Sequence, residues 1–275
     1  NKKMVKNNIE IIYEDSNIIA VNKPAGVSVE ADRTGKANLV DLLQIQRKDE
    51  KKLKIIHHLD KETSGIIVFS KNADTQRKMS QCFENGQVRM VYLALTTSGG
   101  EEKSGIIDVP LGEDFKNQQK MRVDLKHGKP AQTKWQTLAD FSGISLLAVQ
   151  PITDRMHQIR VHLQHSGMGL VIDPLYGRDE AIMLSNFKPG YRLSKYAEEK
   201  PLIERLTLCA YQLEIENYFE QIQDGKKLSL IAPLEKKFKA TIKMLTKYNP
   251  KGHAAFVKEE NFNRLLDSQP LLLQI

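Results

Sequence analysis

Short apolar runs alternate with polar stretches along this chain, a pattern that predicts brief strands joined by turns and a few amphipathic helices. Ile18-Ile19-Ala20-Val21 reads as a strand that ends at Asn22-Lys23-Pro24-Ala25-Gly26, where Pro and Gly enforce a turn. Ile66-Ile67-Val68-Phe69 is a second buried-strand pattern, fed by the polar segment His57 to Gly65. From Asn72 to Asn85, Ala73, Met79, Cys82 and Phe83 fall at helical spacing, with Gly86 placed to end the helix. Val88 to Leu95 follows as a strand whose Met90, Tyr92 and Ala94 share one face. Pro110-Leu111-Gly112 opens a polar connection, and Lys126 to Pro130 forms a hairpin or loop before a strand from Thr133 to Leu138. Leu146 to Gln150 is a further strand. Met156, Ile159 and Leu163 recur at i, i+3 and i+7 and predict a helix ended by Gly167. Residues 178–205 read as loop with a short helix, and Lys236 to Tyr248 as another helix. No repeat, low-complexity tract or linker divides the chain, which reads as one domain of mixed α and β type.

Composition narrows the class. The chain has 275 residues and a formal net charge of +7, enough length for a sizeable core and enough positive charge to suit a polyanionic partner. Clusters at Arg47-Lys48, Lys51-Lys52-Lys54 and Lys236-Lys237-Lys239 are interrupted or flanked by acidic residues, so an ordinary solvated basic surface explains them equally well. No apolar run approaches the roughly 18 residues that span a bilayer, and Asn1 to Lys6 lack the apolar core of a signal peptide. Cys82 and Cys209 lie far apart and form no CxxC, which reads as two buried free thiols in a reducing compartment.

Four polar residues are candidates for chemistry. Asp60 sits at a turn-to-strand junction, where most Asp residues cap the turn but a carboxylate can also face a cleft. Tyr92 is either a core tyrosine with a satisfied hydroxyl or a half-buried stacking surface. Arg160 lies mid-helix; beside a buried Asp it would hold that carboxylate ionised, and solvent exposure is the default. Asp173, in Asp173-Pro174-Leu175-Tyr176-Gly177, reads as a structural cap. His157, His162 and His165 do not share one helix face, and no Cys or carboxylate completes a set, so no metal site is expected. Neither GxxxxGK[ST] nor GxGxxG occurs, which leaves a nucleotide cofactor without support.

Taken in order, these segments resemble the RluA-type RNA pseudouridine synthases. Asn22 to Gly26 is similar to that family's N-K-P-x-G turn, and His57 to Gly65 to its H-R-L-D-x-x-T-S-G signature, which carries the catalytic Asp. Arg89 to Leu95 resembles the strand bearing the family's active-site tyrosine. Thr153 to Leu163 is close to T-G-R-T-H-Q-I-R-V-H-L, and Asp173 to Gly177 to D-P-L-Y-G. The resemblance implies an α+β pseudouridine synthase fold, with a central mixed, mainly antiparallel sheet flanked by helices and loops. It implies catalysis by Asp60 with Tyr92 and Arg160, the arginine being the one that pairs with the Asp, and substrate contacts from His57, His58, Leu59, Thr63, Lys23 and Gln158.

The activity so implied is isomerisation of specific uridines in large-subunit ribosomal RNA, tRNA stem-loops or both. It needs no cofactor and no metal, and implies a cytoplasmic monomer with RNA as partner and no membrane. A catalytic domain is expected over 9–248, with a C-terminal tail over 249–275 and no separate N-terminal RNA-binding module. Departures from the family pattern are His58 where Arg is usual, Asp154 for Gly and Met156 for Thr, with Thr153 or Asp154 expected to cap the helix, and Cys209 where His is common. The alternative readings are a non-catalytic RNA-binding or ribosome-assembly protein on the same fold, and a hydrolase using Asp60 with Glu62 or a Ser64 nucleophile.

Overall fold

A computed structural model describes residues 8–32, 35–48, 53–97, 102–193, 197–216 and 227–275. The chain runs β1 (Glu10–Glu14), β2 (Ile18–Lys23), α1 (Leu39–Arg47), β3 (Lys54–Ile55), β4 (Ser64–Ser70), α2 (Ala73–Glu84) and β5 (Val88–Thr97). It continues through β6 (Ser104–Asp108), β7 (Leu111–Glu113), β8 (Met121–Val123), β9 (Gln132–Asp140), β10 (Ile144–Pro151) and α3 (Gln158–His165). β11 (Leu208–Ile215), β12 (Leu228–Ile231), α4 (Lys236–Tyr248) and α5 (Glu260–Leu266) complete it. Two compact units result, one of Asn1–Arg89 with Gln212–Pro233, the other of Met90–Tyr211 with Leu234–Ile275. Each boundary falls inside a strand, β5 or β11, or just before α4, so no linker marks it.

In the first unit β2 is paired antiparallel on both sides, to β1 through Ile11↔Val21 and to β4 through Val21↔Ile67. Both its faces are covered, which is why Ile18 to Val21 and Ile66 to Phe69 are unbroken apolar runs and not alternating ones. α2 follows β4 through Asn72, whose side chain accepts the Thr75 N–H (2.8 Å), the expected chemistry for a residue preceding a helix. β12 pairs with the Gln212–Ile215 half of β11.

The second unit is built on β5, β10, β9 and β6, each antiparallel to the next. Ile159 and Leu163 of α3 pack with Ala94, Trp135, Leu147 and Val149 from three of these strands, and Tyr92 borders that cluster. Full burial of one such aliphatic side chain stabilises by about 1.5–3 kcal/mol, so these two supply part of what seats this two-turn helix. Residues 249–275 carry α5 and fold onto β9: the Val257 N–H donates to the Leu138 carbonyl (2.8 Å), and Phe256 packs edge-on against Phe141 and Phe262.

The α+β expectation, with antiparallel strands and flanking helices, holds, and the helix at Lys236 to Tyr248 lies where its spacing placed it. Three local expectations are corrected. The segment opened by Pro110-Leu111-Gly112 is the hairpin β7–β8, whose short strands bury little beyond Leu111 and so carry almost no apolar period. Met156 is 48% exposed and lies outside α3, because His157 adopts a left-handed conformation (φ 54°) and the helix begins only at Gln158. Neither Thr153 nor Asp154 caps that helix: His157 holds the cap position without a side-chain bond, and the Thr153 hydroxyl donates to the Gln158 side-chain oxygen (2.7 Å). Of the two cysteines, Cys209 is buried and Cys82 only half-buried, both as free thiols.

Candidate active site

In the first unit, the segment around Asp60 is held by groups that are themselves buried. The Lys23 side chain is fully buried, and its ammonium donates to the carbonyls of Val27 (2.7 Å), Lys61 (2.9 Å) and Pro24 (3.2 Å). The Gly26 N–H donates to the same Lys61 carbonyl at 2.9 Å. A buried cation satisfied by main-chain oxygens thus ties the turn after β2 to the residue next to Asp60. On the other side the His57 Nε2 accepts the Val68 N–H of β4 (3.0 Å), and its ring stacks on Phe83 of α2 at 5.0 Å. The Thr63 N–H closes the turn on the Asp60 carbonyl (3.1 Å), and Gly65 then takes φ 109°, a conformation side-chain-bearing residues avoid. Asp60 itself is half-buried, with Leu59 and Thr63 buried beside it and His58 exposed.

Burial, followed by the charge of neighbouring His58, pushes the His57 imidazole from 6.5 down to about 3. The folded state therefore refuses a proton that the unfolded chain takes below about pH 6.5, so this residue costs stability as pH falls from there toward 3. Between pH 7.5 and pH 5.0 the wild type is expected to lose about 2 kcal/mol more unfolding free energy than His57→Gln. Urea denaturation of both proteins at the two pH values checks this, and parallel losses would show that the ring is protonated in the fold.

In the second unit, α3 presents buried polar side chains in place of a wholly apolar face. The Gln158 amide donates to the Gln132 carbonyl (2.9 Å) and the Thr133 hydroxyl (3.0 Å). One turn on, His162 bonds Thr133 Oγ1 (2.9 Å) and the Val109 carbonyl (3.0 Å), and burial lowers its pKa. Arg160 lies between them. Its Nε and Nη2 donate to the two carboxylate oxygens of Asp173 at 2.8 and 2.7 Å, a bidentate pair whose side chains are only 5% and 2% exposed. Asp173 Oδ1 also accepts the N–H groups of Leu175 (3.0 Å) and Tyr176 (3.1 Å), so it does cap its turn, as its sequence context suggests. Its hold on Arg160 is the feature that sequence reasoning missed; a separation of 13 residues across a glycine-ended helix gives no periodic signal. Tyr92, on β5, is half-buried, with its ring against the core of the unit.

Of the residues expected to touch substrate, Lys23, His57, Leu59, Thr63 and Gln158 are buried, and Lys23, His57 and Gln158 spend polar atoms on internal bonds. Lys23 and His57 hold the segment around Asp60 and Gln158 holds α3 to β9, each within its own unit, while His58 is exposed. Ser64 is 1% exposed inside β4, which removes the serine-nucleophile reading. In the basic clusters, Arg47 is paired with Glu14 (2.5 Å) and Lys237 with Glu204 (2.6 Å), while Lys51 and Lys52 lie outside the described residues.

Comparison with known proteins points one way. Residues 17–165 match the family model described as RNA pseudouridylate synthase. The chain is 33% identical over 211 residues to ribosomal large subunit pseudouridine synthase D of Borreliella burgdorferi, covering 71% of this chain and 65% of that protein. It is 33% identical over 195 residues to the dual-specificity RNA pseudouridine synthase RluA of Vibrio vulnificus, covering 69% and 76%. A protein of Zymomonas mobilis named as an uncharacterized RNA pseudouridine synthase is 34% identical over 233 residues, covering 83% and 94%. In fold, human RNA pseudouridylate synthase domain containing 4 is similar with a TM-score of 0.63 at 24% identity, over 86% of this chain and 92% of that one.

Proposed function

Because this chain belongs to the RNA pseudouridylate synthase family, we propose that it isomerises specific uridines in structured RNA with Asp60 as the catalytic carboxylate. Large-subunit ribosomal RNA is the first substrate to consider, since one similar protein is named for it and another as dual-specificity, and a tRNA stem-loop, which the resemblance in sequence implies, is the second. The observation that carries the reading is the bracing of Asp60: a half-buried carboxylate on a turn fixed through Lys23, Gly26, His57 and Thr63, in a segment that matches the family signature. Rigid support for one reactive group is what catalysis by orientation requires.

In the reaction the N1–C1′ bond breaks, the uracil turns, and C5 bonds to C1′; the proton on C5 is lost and N1 gains one. Atoms balance without redox chemistry. Asp60 supplies either the attacking oxygen or the negative charge facing the sugar cation. Tyr92 and Arg160 keep the roles the resemblance gives them, stacking on the uracil and electrostatic support. The uridine must leave its stack, which costs a few kcal/mol and favours targets in loops. No described helix is long and apolar enough to cross a membrane, and two free thiols suit a cytoplasmic enzyme.

His58 sits where the family signature has Arg, and its side chain is exposed. Restoring the guanidinium in His58→Arg is expected to change turnover or RNA preference while stability moves by less than about 0.5 kcal/mol. Steady-state rates on several stem-loops together with a melting curve test it. Unchanged rates on every RNA would show that this position plays no part in RNA choice.

A further inference from the structure

The Asp173–Gly177 turn supports Arg160 from a second direction. The Tyr176 ring lies 5.0 Å from the Arg160 guanidinium carbon, close enough for a cation–π contact. A bidentate carboxylate holds a guanidinium along one edge, and an aromatic face beside it limits how far the plane can rock. The ring is fixed in turn through its hydroxyl. That oxygen accepts the Met121 N–H of β8 at 2.7 Å and lies 2.8 Å from His157 Nδ1. A hydroxyl has one proton and two lone pairs, so it holds both partners at once, and the direction of the His157 bond follows that ring's tautomer. The His157 ring also meets Tyr176 edge-on at 5.5 Å. His157 is the residue held left-handed at the start of α3, three positions before Arg160. Such strain persists only where surrounding contacts enforce it.

We propose that Tyr176 is a positioning residue for Arg160, its ring setting the guanidinium plane and its hydroxyl locking the ring between β8 and the first turn of α3. The inference rests on the reading of Arg160 as part of the synthase machinery. Tyr176 also packs on Leu111, Ala131 and Val161, a task a phenylalanine performs equally well. The hydroxyl therefore separates positioning from packing.

The test measures single-turnover rate and KM for Tyr176→Phe, with His157→Gln as a second way of releasing the hydroxyl and a melting curve for each variant. Loss of one such buried bond is expected to lower the rate about tenfold, with KM unchanged within about twofold and the fold intact. In an Arg160→Lys background, where there is no plane to set, Tyr176→Phe is expected to cost nothing further. A wild-type rate in both Tyr176→Phe and His157→Gln, or the same fold-loss in the Arg160→Lys background, would overturn the proposal while the synthase reading stands. An inactive wild type on every RNA would overturn the synthase reading and this inference with it.

Discussion

Asp173→Asn is expected to destabilise the protein by about 3–5 kcal/mol, a large part of the 5–15 kcal/mol typical of a folded domain. The pair it breaks is buried on both sides, with Arg160 5% and Asp173 2% exposed. An exposed pair would matter little. Here the substitution removes the countercharge that Asp173 gives a buried guanidinium, and leaves an amide whose nitrogen cannot accept from it. An Asn oxygen can still receive the Leu175 and Tyr176 N–H groups, so the loss falls on the guanidinium and not on the turn. Urea denaturation of wild type and variant measures the cost. A loss under about 1 kcal/mol would mean that water reaches the pair and screens it. Replacing both partners with apolar residues, Arg160→Met with Asp173→Leu, is expected to recover the part of the loss due to the unpaired guanidinium but no activity, while the Leu175 and Tyr176 N–H groups stay without their acceptor.

Asp60→Asn is expected to lower the isomerisation rate by roughly four orders of magnitude or more, as removal of an essential nucleophile does in other enzymes. The substitution keeps size and shape and removes the charge. The turn around it is held by main-chain bonds, Thr63 to the Asp60 carbonyl and Gly26 to that of Lys61, and by the Lys23 ammonium. None of these bonds uses the carboxylate, so the turn is expected to keep its conformation in the variant, and RNA affinity to stay close to wild type. Rate and affinity measured on one RNA separate the two effects. A variant that turns over near the wild-type rate removes Asp60 from the mechanism.

How far the sequence could be read follows from the range of the interactions involved. The strand pattern of Ile66 to Phe69, the helix opened by Asn72 and the helix from Lys236 are local signals, carried by neighbouring residues, and they appear at their expected places. Asp60 stands out in the sequence through its order among other motifs and not through any property of its own position. A motif names Lys23 and Gln158 without saying which way they point; both are buried and bonded to main-chain carbonyls, a feature with no local signal. The β7–β8 hairpin was lost because one covered face and three-residue strands leave too little alternation to detect. The Arg160–Asp173 pair and the Tyr176 contacts to β8 and α3 join positions remote in sequence, where periodicity carries no information.

The measurement that bears most directly on the proposed activity is incubation of the wild-type protein with large-subunit ribosomal RNA and tRNA labelled with [5-³H]uridine, followed by assay of released tritium and of the nucleosides formed. Isomerisation replaces the C5–H bond with C5–C1′, so tritium release equal to the pseudouridine formed, with no free uracil, is the predicted result. Binding to both RNAs without release, or release of free uracil, would contradict it.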